Sequence, residues 1–240
     1  MNIKCLRLIL VVCVSMVPPT RAGLIYTWSG ESSTGNGNDV SVRAEFDITE
    51  DGDLQLTLSN ISSDDSADPA DLLSSFYFHS STSLTLESAS GNVFLTDKDG
   101  PDGPSGITDL SSGGGLAYND GWLFQSFTPS ESMPFSFGIG TVGNNGLQDE
   151  GFNFPAMDGI ESSIYTGDVY TQNLDGYYLV QGSATFLFSG NDITLYDIGD
   201  TVAFGFGTAP DSLHFVPLPA TIVLGLLGLG VGGWKLRKSI

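Results

Sequence analysis

The stretch from Val40 to Ile48 constrains this chain more than any other. Val40, Val42, Ala44, Phe46 and Ile48 are apolar, while Ser41, Arg43, Glu45 and Asp47 between them are polar. Strict alternation puts every apolar side chain on one face of an extended strand and leaves the other face wet, a pattern that a helix of about 3.6 residues per turn cannot use. Glu50-Asp51-Gly52-Asp53 then supplies turn chemistry, and Leu54, Leu56 and Leu58 resume the alternation. Residues 40–58 therefore predict a β-hairpin.

The same logic extends through the interior. Strands are expected at 24–28, 72–79, 83–88, 92–96, 122–127, 135–139, 165–170, 177–180, 184–188 and 202–206. Gly190-Asn191-Asp192 reads as a hairpin turn after which 193–196 pairs back, and His79 falls on the Tyr77 side of its strand, toward solvent or a neighbouring loop. Residues 62–71, with Asp64, Asp65, Asp68 and Asp71 around Pro69, read as an acidic loop. Residues 97–119 and 143–163 lack periodicity, and long excursions of this kind are often functional. No amphipathic helix is evident between residues 23 and 215. Short strands separated by Gly, Asn and Asp turns predict an all-β fold, an antiparallel β-sandwich of jelly-roll-like form.

The two ends have a different character. Residues 1–22 carry Lys4 and Arg7, an apolar run from Leu8 to Val17, and Thr20-Arg21-Ala22 before the first strand, which is the pattern of a secretory signal peptide. Both cysteines, Cys5 and Cys13, lie within it, so the domain at 23–215 has no thiol and no disulfide. At the other end, residues 216–240 fall into three zones: Val216-Pro217-Leu218-Pro219-Ala220, an uncharged apolar run at 221–234, and a basic tip at 235–240 with Lys235, Arg237 and Lys238. As a helix the run is ~21 Å long against a hydrocarbon layer of ~30 Å, a marginal span that needs snorkelling cations or local thinning. Cations directly after it hold that end in the cytoplasm and place the domain outside.

Charge narrows the partners. All 28 acidic residues lie between residues 23 and 215, where only Arg43 and Lys98 oppose them, giving a net charge of −26. A surface so negative repels phosphate backbones, which argues against nucleic-acid binding. It keeps an exported protein soluble, and its carboxylates can collect divalent cations.

The tag Val216-Pro217-Leu218-Pro219-Ala220, with its Gly/Leu-rich run and basic tip, resembles the VPLPA variant of the PEP-CTERM sorting signal of Gram-negative bacteria. The resemblance implies export through the secretion translocon, transient residence in the inner membrane, removal of the tail by an exosortase, a membrane-embedded cysteine protease, and release to the cell surface or extracellular matrix. Membership of that class implies an exopolysaccharide or biofilm setting. A plain retained anchor and a sortase signal are the alternatives. Leu218-Pro219-Ala220-Thr221 starts the latter, but Ile222 stands where its glycine belongs. The phrases VSVRAEFDI, GDLQLTLSN and VQGSATFLFSG resemble uncharacterised ectodomains that precede such signals, and these carry no known activity.

Chemistry-bearing constellations are few. The histidines are His79 and His214, and no nucleophile elbow, P-loop, dinucleotide fingerprint or HExxH is present. Asp97, Asp99 and Asp102, around Gly100 and Gly103, could converge oxygens on Ca²⁺. The third aspartate comes one residue late for an EF-hand start, and Thr108 stands where that loop carries its bidentate glutamate. Trp28 and Trp122 could stack on sugars or fill the core. The expectation is a non-catalytic structural or adhesive surface protein. A calcium-dependent or carbohydrate-binding module is the alternative, and a polysaccharide hydrolase using two carboxylates comes third.

Overall fold

A computed structural model of the chain describes residues 23–31, 39–95, 122–130, 134–141, 162–167, 174–207 and 213–217. Among these residues there is no α-helix. The strands are β1 (Leu24–Glu31), β2 (Asp39–Ile48), β3 (Leu54–Asn60), β4 (Leu73–Ser80), β5 (Thr85–Leu95), β6 (Leu123–Ser126), β7 (Phe137–Gly140), β8 (Ile164–Tyr165), β9 (Tyr178–Ser189), β10 (Ile198–Phe206) and β11 (His214–Pro217).

The alternating stretch forms β2 as expected. Val40, Val42, Ala44 and Phe46 are buried, and on the wet face Arg43 pairs with Glu45. In the turn that follows, Gly52 takes a φ of 92°, open to glycine and strained for other residues. The Thr49 hydroxyl accepts the Asp53 N–H at 3.1 Å, fastening the register in which Ala44 faces Leu58.

All eleven strands belong to one sheet, in the order β1-β2-β3-β9-β8-β4-β10-β11. β5 lies on the remaining side of β9, and β7, followed by β6, lies beside β4. Every pairing is antiparallel except the short one between β8 and β9. The sheet curls until its two halves face each other. Phe46 of β2 lies 5.3 Å from Phe78 of β4, Phe188 of β9 lies 4.9 Å from Phe124 of β6, and Trp122 lies 5.1 Å from Phe186. Each buried ring stabilises the fold by about 1.5–3 kcal/mol relative to an exposed one. At the seam Trp28 of β1 meets His214 of β11 with ring centroids 4.0 Å apart, so the sheet is nearly closed, in the manner of a barrel. The antiparallel all-β expectation holds, but a single curled sheet stands where separate layers were expected.

Several segments differ from the sequence expectation. Segments 83–88 and 92–96 merge into the single strand β5, with register shifts between Leu86 and Ser88 and between Gly91 and Val93. Segments 177–180 and 184–188 likewise merge into β9, where Gly182 at φ 73° carries the chain across the second irregularity. Segment 193–196 does not pair back as a strand. Ile193 is buried, and Leu195–Asp197 forms a 3₁₀ turn held by the Asp197 carboxylate, which accepts the Thr194 N–H at 2.9 Å. β4 is buried on both faces, Phe76 and Phe78 in the main core and Tyr77 against Phe135 and Ala203 outside it. His79, on the Tyr77 side, packs its Cβ against Gly199, and its enclosed Nδ1 has no hydrogen-bond partner among the described residues.

Candidate functional site

The Val216-Pro217-Leu218-Pro219-Ala220 string begins inside the sheet. Val216 faces the core opposite Val202, and Pro217 lies opposite Thr201 at the end of β11. Proline donates no ladder hydrogen bond and is tolerated in a sheet at an edge, which is where β11 lies in the strand order. Sequence reasoning placed the domain boundary at the tag string and so missed β11. Its signal was the run Leu213-His214-Phe215-Val216, aromatic and β-branched residues with the alternation that puts Val216 inward and Phe215 outward.

Aromatic rings set the strand in place. His214 touches Trp28 and Phe206, at 4.0 and 5.6 Å between centroids, and Phe215, half exposed, stacks on Phe135 at 5.6 Å. The Nε2 atom of His214 is enclosed and has no hydrogen-bond partner among the described residues, and burial lowers the pKa of the ring. Next to the seam, the Tyr26 hydroxyl donates to the Gly199 carbonyl at 2.6 Å. Burial, and secondarily the charge of Asp200, push that hydroxyl well above the ordinary tyrosine range.

The acidic loop is explained by backbone needs. One oxygen of the buried Asp71 carboxylate accepts the N–H groups of Ala67 and Asp68, at 3.0 and 3.1 Å, and Asp68 accepts the N–H of Ala70 at 3.0 Å. These carboxylates cap the 3₁₀ turn at Pro69–Asp71. Asn60 ties the loop to β8 by donating to the Asp71 and Ile164 carbonyls. Among the described residues, no three His, Cys, Asp or Glu side chains are grouped to hold a metal.

The two tryptophans named as sugar platforms are packed. Trp122 is buried and donates its Nε1 hydrogen to the Ser162 carbonyl at 2.7 Å, and Trp28 lies in the seam. The candidate calcium residues Asp97, Asp99 and Asp102 lie outside the described residues, as do Leu218, Pro219, Ala220, Lys235, Arg237, Lys238 and the proposed signal peptide. Among the described residues no helix is long and apolar enough to cross a membrane. Comparison with protein-family models, with curated proteins and with solved structures gave no match.

Proposed function

We propose that the chain is an exported, non-catalytic surface protein of the PEP-CTERM kind, structural or adhesive in role. Its β domain, one nearly closed sheet, is held briefly at the inner membrane by residues 221–234 and freed by an exosortase acting at the tag. The observation that carries this reading is the ordered run of tag, uncharged apolar segment and basic tip at 216–240. An acidic, cysteine-free body between two apolar ends supports the same topology.

Intact mass of the protein recovered from the cell envelope tests it. The expected species lacks residues 1–22 and everything beyond the tag, and Pro219→Ala retains the tail. Pro219 is a cleaner position than Pro217, whose replacement also alters β11. A wild-type protein that keeps its tail overturns exosortase processing in favour of a plain anchor. One that keeps residues 1–22 and stays in the cytoplasm overturns export. Glycan turnover that one Asp or Glu substitution abolishes overturns the non-catalytic role.

A further inference from the structure

Both ends of the folded domain leave it at the same pole. β1 starts at Leu24, opposite Phe46 near the end of β2, and the Tyr26 hydroxyl reaches Gly199 at the start of β10. β11 ends at Pro217, opposite Thr201, two residues further along β10. The short turns at 49–53, 81–84 and 190–197 cluster at this pole, because β2, β4 and β9 all end there. Phe46 and Phe188 both meet Phe78, and Ser81 donates to Asp197 at 2.6 Å. The 61–72 segment, which follows β3, and the ends of β1 and β10 lie at the opposite pole. There Asn60 reaches the Asp71 carbonyl, and Trp28 meets Phe206.

The first pole bears exposed Glu50, Asp51, Asp192 and Asp200, and Tyr196, which is 88% exposed. Only Leu218, Pro219 and Ala220 separate Pro217 from the apolar run. A chain that short spans at most ~14 Å from Pro217 to Thr221. About half of that is taken up by the headgroup layer, which is ~5–7 Å thick on each side.

We propose that this pole is a membrane-facing foot, seated against the headgroups of an ammonium-bearing phospholipid surface such as phosphatidylethanolamine. The inference rests on the membrane-anchored form in the reading above. The carboxylates meet lipid ammonium groups, and anionic headgroups repel them. Tyr196 presents an apolar ring with a polar tip, the amphipathic form that suits an interface. The convergence of the ends has a consequence for export. A signal peptide and a tail helix that both sit in one bilayer leave the domain free to close its β1–β11 seam while both are still attached. The 61–72 pole is held away from the lipid.

The test uses full-length chain with Cys5→Ala and Cys13→Ala, purified and reconstituted into vesicles of phosphatidylethanolamine and phosphatidylcholine. A single fluorophore is placed at Asn191→Cys on the foot or at Ile61→Cys, which lies at the far end of β3, about 20 Å away at strand rise. With nitroxide-headgroup lipid in the bilayer, quenching at position 191 is expected to be several-fold stronger than at 61, and to weaken as phosphatidylglycerol replaces phosphatidylethanolamine. Equal or reversed quenching in vesicle-bound protein overturns the foot and leaves the anchoring reading intact. Quenching indifferent to phosphatidylglycerol overturns the headgroup assignment. Protein that fails to float with the vesicles overturns the anchor and the foot together.

Discussion

At the scale of single residues, the acidic side chains separate into those the fold uses and those it leaves in water. Asp71 and Asp68 satisfy backbone N–H groups, so their place in a run of aspartates reflects capping. Gly167 has the least freedom in the same region. Its φ is +70°, and a Cβ there would lie 1.9 Å from Asp65 Oδ1 and 2.9 Å from the Asp65 backbone Cα. Gly167→Ala is expected to cost at least about 1–2 kcal/mol for the left-handed conformation alone, with the clash added to it. Chemical denaturation should show a lower midpoint with an unchanged slope; an unaltered midpoint contradicts the placement of this loop.

At the scale of elements, β11 joins the domain to its tail, and the ring that packs it against β1 is favoured in its neutral form. His214 touches Trp28 and Phe206, and burial disfavours its charged form. Its folded pKa is therefore below the ordinary histidine value of 6.5, and below that pH the unfolded chain takes up more protons than the folded one. Stability from this group is complete above pH 6.5 and falls as the pH drops from there through the folded pKa. His214→Phe keeps a ring between Trp28 and Phe206 and removes the titration. Its melting temperature relative to wild type should rise as the pH falls from 7.5 to 5.5, by calorimetry at each pH. A constant difference places the histidine outside the seam. β11 was only partly legible in the sequence, because the tag string drew a boundary through a strand whose inward residue, Val216, belongs to both.

At the scale of the whole molecule, the body between residues 23 and 215 is a polyanion with 28 carboxylates. Self-repulsion at that charge opposes compaction, and salt screens it over about 8–10 Å at physiological strength. The melting temperature is expected to rise as NaCl goes from low to high concentration. CaCl₂ at matched ionic strength should do the same, since screening has no preference for one coordination geometry. A larger rise with micromolar Ca²⁺, lost in Asp97→Asn and Asp99→Asn, would establish a discrete calcium site. Legibility at this scale was uneven. The alternation of Val40 to Ile48 and of Leu54 to Leu58 announced β2 and β3, and the zones at 216–240 raised the question of a membrane. Nothing in sequence order announced that Leu24 and Pro217 would emerge at one pole.

Alternation, turn residues and charge-free runs are local properties of the chain, and the sequence by itself determined them: an antiparallel all-β body, the turn at Gly52, and the character of both ends. Closure required the tertiary structure. Residues 89–91 and 181–183 fell between expected strands, yet they lie inside β5 and β9, whose mutual pairing runs on past each register shift. Segment 193–196 was expected to pair back as a strand but leads into a 3₁₀ turn, where the Asp197 carboxylate accepts from both the N–H and the hydroxyl of Thr194. Both faces of β4 are dry because Phe135, far off in sequence, covers Tyr77. Each outcome depends on which distant residues meet, a matter of free energy summed over long-range contacts that no window of sequence contains.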